Sequence, residues 1–150
     1  MKKTDLDGLI TETRNQATMN VDALSIAETI KLICQEDQNV VEAVQAETNQ
    51  MVKAVELIVR SLEKQGRVFY MGSGTSGRLG ILDAAELLPT FGVGEDVFKA
   101  MIAGGEIAMF HPVEKAEDDH AAGINDLLAE NPQAGDVLVG ISASGRTPYV

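Results

Sequence analysis

Residues 67–78 read Arg67-Val-Phe-Tyr-Met-Gly-Ser-Gly-Thr-Ser-Gly-Arg78, and this stretch decides the fold. A short apolar run rich in strand formers ends in a cluster of glycines and hydroxyl residues, and a helical pattern, Leu79 to Leu88, follows. Strand, glycine turn, helix is the opening of a parallel α/β unit. The unit recurs downstream. Val97 to Ile102 reads as a second strand ending in Gly104-Gly105, Pro112 to Glu130 as a helix, and Asp136 to Ile141 as a third strand. The third strand runs into Ser142-Ala-Ser-Gly-Arg-Thr147, with Pro148 suited to a first helical position. The expected fold class is therefore α/β, a parallel sheet in the middle layer of three, with helices on both faces. Three strands make a small sheet, so the chain reads as the N-terminal part of a longer protein, or as one whose missing strands come from elsewhere.

Upstream the pattern is helical. Residues 1–24 are polar and read as an irregular arm. Ser25-Ile-Ala-Glu28 fits a capping box, opening a short helix to about Asp37. A longer helix from about Asn39 to Lys64 places Val44, Met51, Val55, Ile58 and Leu62 at helical spacing, and Gly66 is its expected stop. Its apolar face is too wide for a solvated helix and predicts packing on the sheet or on a second copy. The division expected is 1–65, arm and helices for packing or dimerisation, and 66–150, sheet domain.

Composition excludes several classes. Twelve basic residues against 23 acidic give a net charge of −11 in 150 residues. A nucleic-acid binder needs a basic face, so no nucleic-acid partner is expected. No apolar run approaches the roughly 18 residues of a membrane span, and the lysines at the start lead into no apolar core of a leader peptide. Cys34 is the single cysteine, which rules out an internal disulfide and fits a reducing cytoplasm. Among Ile30, Leu32 and Ile33 it reads as buried filler.

Two Ser-Gly-Arg turns carry the chemistry, Ser76-Gly77-Arg78 and Ser144-Gly145-Arg146. In parallel sheets ligands bind beyond the carboxyl ends of the strands, and helix N-termini there favour anions. Ser73, Thr75, Ser76, Ser142, Ser144 and Thr147 offer hydroxyls suited to a phosphate and the hydroxyls of a sugar. The same residues also suit helix caps and tight turns. Gly72, Gly74 and Gly77 satisfy G-x-G-x-x-G, which leaves a dinucleotide domain open, with Glu106 as its ribose-binding acid. Arg78 and Arg146 fit either an anion or a surface carboxylate. His111 and His120 fit proton carriage or a plain surface role.

Gly72-Ser-Gly-Thr-Ser-Gly-Arg-Leu-Gly-Ile-Leu-Asp-Ala-Ala-Glu86 resembles the signature of the N-acetylmuramic acid 6-phosphate etherase family. Ile102-Ala-Gly-Gly-Glu106, Val113-Glu-Lys-Ala-Glu-Asp118 and Gly140-Ile-Ser-Ala-Ser-Gly-Arg-Thr-Pro-Tyr-Val150 resemble it too, as do Ile10-Thr-Glu-Thr-Arg-Asn15 and Ile33-Cys-Gln-Glu-Asp37. The resemblance implies the sugar isomerase fold, a five-stranded parallel sheet, in a cytoplasmic homodimer with its site near the subunit interface. It implies cleavage of the D-lactyl ether by elimination and water addition during cell-wall recycling, with no metal or other cofactor. It places the catalytic carboxyls at Glu86 and Glu117, and the sugar phosphate on Ser73, Gly74, Thr75, Ser76, Ser142, Ser144, Gly145, Arg146 and Thr147. Glu86 is assigned to protonating the departing lactate and activating water, Glu117 to taking the carbon 2 proton. A carboxyl that donates a proton near neutral pH needs an apolar wall, for which Leu87, Leu88 and Phe91 are candidates. Leu87-Leu88-Pro89-Thr90 departs from the family's Cys-Pro-Pro-Thr, and Ala85 stands where Ser is common. A related non-catalytic module, the glucokinase regulatory protein, supplies the alternative reading: sugar-phosphate binding without turnover.

Overall fold

The computed structural model describes Thr11 and residues 13–150. The expected arm and the Ile10–Asn15 motif lie partly outside them. The chain divides into two units, one ending at Ala54 and one spanning Val55–Val150.

In the first unit, 3-10 turns at Gln16–Thr18 and Val21–Ala23 precede α1, Ile26–Ala46. The capping box forms as its residues predict: Ser25 Oγ accepts from the Glu28 amide at 3.4 Å, and Glu28 Oε2 accepts from the Ser25 amide at 2.8 Å. Hydrogen bonds from Ser25 to the Glu28 carboxylate hold its pKa below the ordinary value. The helix boundary differs from expectation. Nothing at Asp37-Gln38-Asn39 breaks the backbone, and α1 continues to Ala46 before α2, Thr48–Glu63, begins. The break falls at Glu47, where Thr48 Oγ1 donates to the Gln45 carbonyl at 2.6 Å. No residue of α1 is buried, and Ile26, Ile30, Ile33, Val40, Val41 and Val44 are exposed. Cys34 is exposed with them, which corrects its reading as buried filler.

In the second unit α2 ends as Gln65 turns left-handed (φ 62°). Gly66 is required for space, since a Cβ there would lie 2.4 Å from Ser61 Oγ and 2.6 Å from the Gly135 carbonyl oxygen. Ser61 is buried and donates to that same carbonyl at 2.6 Å. The sheet follows the expected pattern: β1 (Val68–Gly72), β2 (Phe98–Ile102) and β3 (Val137–Ile141) are parallel, in the order β2-β1-β3. β1 is central, and its last residue, Gly72, pairs with Ile102 on one side and Ile141 on the other. Side chains alternate across the pleat. Tyr70 faces the helix α3, Gly74–Phe91, where Gly80 allows close approach: its Cβ would stand 3.0 Å from Tyr70 Cβ. Met71 faces the other side, where it packs with Ala103, Tyr149, Ala122 and Leu127. Ala122 and Leu127 belong to α4, His120–Ala129. Val68 and Phe69 are the most deeply buried large side chains.

Two helices differ from the reading of the sequence. α3 starts at Gly74, five residues before the expected Leu79, so the glycine stretch is its first turn rather than a loop. The expected single helix over 112–130 is split. Lys115 adopts a left-handed conformation (φ 64°), Ala116–Asp118 forms a 3-10 turn, and the Asp119 carboxylate restarts the helix by accepting from the Ala122 amide at 2.9 Å. Among the described residues no helix is long and apolar enough to cross a membrane.

A polar clamp fixes the amino-terminal edge of the sheet. Asp136 Oδ1 accepts from the Arg67 backbone amide at 2.8 Å, and Asp136 Oδ2 from the Arg67 guanidinium at 2.8 Å and the Gln133 amide at 2.8 Å. Arg67 also donates to the Glu130 and Asn131 carbonyls and stacks 4.9 Å over the Phe69 ring. The Gln133 amide, followed by the Arg67 donors, holds the Asp136 carboxyl below its usual range. A depressed carboxylate stabilises the fold above its unfolded pKa and loses that effect as pH falls through the folded value. Asp136→Asn should therefore lower stability at pH 7 by about 1–3 kcal/mol. Urea melts should show the gap between the two proteins closing as the pH drops through the acid range. A gap independent of pH would mean that the charge of Asp136 contributes nothing.

Candidate functional site

The carboxyl-terminal edge of the sheet is where the functional side chains gather. Because Gly72 and Ile141 pair, Ser73 and Ser142 leave adjacent strands side by side. From β1 the chain passes to β2 on one side, and β3 lies on the other, so the two Ser-Gly-Arg turns flank the point where strand order reverses. Ligands of open α/β sheets bind at such points.

The two turns use their hydroxyls differently. Ser73 occupies the N-cap position of α3 without a capping bond from its side chain, and Ser73, Gly74, Thr75 and Ser76 form the mouth of the helix. In the second turn Ser142 Oγ lies 2.9 Å from Thr147 Oγ1 and accepts from the Gly145 amide at 3.1 Å, while Ser144 Oγ accepts from the Arg146 amide at 3.2 Å. The turn-stabilising role is therefore realised at 142–147, where one hydroxyl of the Ser142–Thr147 pair gives its O–H to the other. Gly145 takes a left-handed φ of 64° that the turn requires. Arg146 is exposed.

A cavity of about 230 Å³ opens beside the first turn and is lined by Ser73, Gly74, Arg78, His111, Lys115 and Glu117, among others. The structure thus brings Glu117 to Ser73 and Gly74. Arg78 lines this cavity, and its Nε donates to the Met109 carbonyl at 3.0 Å, anchoring the segment that walls it. His111 and Lys115 join the cavity unannounced by the sequence reading, which placed His111 on no motif and did not single out Lys115. A basic residue two positions before Glu117 in an acidic segment was the available signal. His120 instead opens α4.

Glu86 is not in this cavity. It is exposed on α3, twelve residues after Gly74, which at 1.5 Å per residue is roughly 18 Å along the helix. The apolar wall expected around it does not form within the chain, since Leu88 and Phe91 are exposed, Phe91 by 73%. Leu79, Leu82 and Glu86 share one helix face at i, i+3 and i+7, and both leucines are exposed. Glu106 begins a 3-10 turn and lines a separate cavity with Met109 and Asp126, apart from the glycines.

Tyr149 links several of these parts. It is buried, its hydroxyl donates to Asp126 Oδ2 at 2.6 Å, and its amide donates to the Glu117 carbonyl at 3.0 Å. Burial first, then the Asp126 carboxylate, push its hydroxyl pKa upward. Tyr70, on the other face, is pushed up to about 12 by burial and by Asp83.

The chain belongs to the SIS-domain family: the model of the glucokinase regulatory protein N-terminal SIS domain matches residues 50–150. Full-length relatives named N-acetylmuramic acid 6-phosphate etherase are more specific matches. That of Actinobacillus pleuropneumoniae serotype 5b is 52% identical over 98% of this chain and 48% of its own length. Those of Vibrio vulnificus and Clostridium beijerinckii are 49% and 43% identical over 99% and 100% of the chain, and 49% of their own lengths. The chain thus spans about half the length of the curated relatives it matches.

Gly77 of the first turn is a packing residue. A Cβ on Gly77 would lie 2.6 Å from Ile102 Cγ1 and 2.8 Å from the Gly72 carbonyl oxygen. Gly77→Ala should push α3 off the sheet edge, lowering stability by about 1–3 kcal/mol. It should also weaken phosphate binding. A calorimetric titration with inorganic phosphate and a thermal melt check both; an unchanged melt would show that the close approach carries no strain.

Proposed function

We propose that the full protein cleaves the D-lactyl ether of N-acetylmuramic acid 6-phosphate, as a cytoplasmic homodimer that recycles cell-wall sugars. The observation that carries the reading is the meeting of the two Ser-Gly-Arg turns at one sheet edge, with Glu117 in the adjoining cavity, in a chain so similar to named etherases. The phosphate sits on Ser73, Gly74, Thr75, Ser76, Ser142, Ser144, Gly145, Arg146 and Thr147. Glu117 takes the proton from carbon 2 of the ring-opened aldehyde. The electron pair forms the carbon 2–carbon 3 double bond, and the carbon 3–oxygen bond breaks as Glu86 protonates the leaving lactate. Glu86, now a carboxylate, takes a proton from water, whose oxygen adds to carbon 3, and carbon 2 is reprotonated. The products are D-lactate and N-acetylglucosamine 6-phosphate.

Distance dictates how the two glutamates cooperate. A phosphate at the mouth of α3 leaves carbon 3 only a few bond lengths away, and Glu86 lies roughly 18 Å down the same helix. One copy therefore supplies Glu117 and the turns, and the second supplies Glu86. The exposed Leu79–Leu82–Glu86 face is then the surface a second copy covers, giving the acid its apolar surroundings. The exposed apolar residues of α1 and α2 offer a second copy a further contact.

Each single variant, Glu86→Gln or Glu117→Gln, should lose about 10²–10⁴-fold in lactate release while retaining sugar-phosphate binding. In mixed dimers of the two full-length variants one of the two sites is intact. They should regain about half of wild-type turnover, because a two-fold dimer has two equivalent sites. Mixed dimers as inactive as their parents would place both glutamates in one chain. The match to a regulatory-protein domain favours a second reading, sugar-phosphate binding without turnover. Wild-type protein that binds N-acetylglucosamine 6-phosphate yet releases no D-lactate would establish it.

A further inference from the structure

We infer that Tyr149 is a positioning residue that holds Glu117 in register with the Ser142–Thr147 turn. The inference rests on the etherase reading for its consequence in catalysis, and on geometry alone for the anchoring itself.

Four observations converge on this side chain. Tyr149 is 2% exposed and packs with Met71 and Ala103, which stand at the carboxyl ends of β1 and β2. Its hydroxyl is fixed to Asp126 of α4 at 2.6 Å, so the ring is held at its tip as well as along its length. Its amide donates to the Glu117 carbonyl at 3.0 Å, and Ala116, the neighbour of Glu117, packs on the same cluster. Its carbonyl lies against Gly123, where a Cβ would approach the oxygen to 2.0 Å. The next residue, Val150, donates its amide to the Thr147 carbonyl at 3.0 Å and so ties the end of the turn beside Tyr149.

Glu117 stands in a 3-10 turn of three residues between a left-handed Lys115 and the cap of α4, a segment too short to fix its own position. The Tyr149 amide supplies the external constraint, and the Asp126 bond holds Tyr149 where that amide can reach. Loosening the tip should therefore move the base relative to the phosphate without emptying the phosphate site.

The test uses the full-length protein. Tyr149→Phe keeps the ring and the amide and removes only the hydroxyl tie. Asp126→Ala removes the acceptor from the other side, and Asp126→Asn preserves an oxygen that accepts from the hydroxyl. Tyr149→Phe and Asp126→Ala should each lower kcat for lactate release by about tenfold to a hundredfold, the scale of a small misplacement of a catalytic group. Exchange of the carbon 2 proton with solvent deuterium should slow in step, KM should stay near the wild-type value, and Asp126→Asn should restore kcat. Amide exchange across residues 113–119 should quicken in both damaging variants. A lower melting temperature with kcat and carbon 2 exchange unchanged would make Tyr149 a packing residue only and overturn the inference. So would a rise in KM with kcat unchanged, which would assign its effect to the phosphate turn. If the wild-type protein releases no lactate, the etherase reading fails on its own. Amide exchange over 113–119 then decides the anchoring, upheld by faster exchange in Tyr149→Phe and overturned by none. Asp126→Ala carries the same readouts should Tyr149→Phe fail to fold.

Discussion

Everything at the functional edge of this sheet depends on the register of one strand. β1 is hydrogen-bonded on both sides, so the pairing of Gly72 with Ile102 and Ile141 sets where three chain segments leave the sheet. The register is pinned at the opposite end. Asp136 binds the Arg67 amide and guanidinium together, and Val137 donates to the Arg67 carbonyl at 2.8 Å, so β1 and β3 start level. A slip by one residue would exchange the Tyr70 face for the Met71 face and part the two serine turns. The clamp sits five residues from the chemistry and yet determines its geometry.

The sheet was legible because each strand is a brief apolar run followed by glycine or serine, a pattern with few alternative meanings. Helix limits were less so. α1 runs through Asp37-Gln38-Asn39 because polar residues break a helix only when their side chains find backbone partners, and those partners occur at Glu47–Thr48 instead. The split at Lys115–Asp119 depends on a left-handed lysine, which no spacing rule anticipates. Of the candidate site, the place of the two Ser-Gly-Arg turns after strands could be read directly, since their composition and position coincide. Glu117 and Glu86 could not be picked from 23 acidic residues by spacing, and only the resemblance singled them out. The part played by Tyr149 comes from contacts between residues 23 and 32 positions apart, which sequence pattern does not encode.

The charge distribution gives the site a second character. The chain as a whole carries −11, which opposes the approach of any anion. Arg78 and Lys115 line one cavity beside the amino terminus of α3, but Glu114 and Glu117 line it too, so these formal charges cancel and the helix terminus adds the partial positive charge. Under the proposed etherase reading, a sugar phosphate is thus repelled at long range and favoured at short range by the helix terminus. Salt screens the distant charges more than the near ones, so moderate ionic strength should favour entry rather than oppose it.

The chain has no tryptophan and two tyrosines, and each tyrosine lies against one face of the same strand. Asp83 raises the pKa of the Tyr70 hydroxyl on the α3 side, and the Tyr149 hydroxyl donates to Asp126 on the α4 side. A phenol bound to a carboxylate emits weakly, and release of that bond brightens it. Ultraviolet emission from Tyr149 therefore gauges the α4 side of the sheet. Replacing Tyr70 by phenylalanine leaves Tyr149 as the one emitter, so the loosening of the α4 layer can be followed by itself in light.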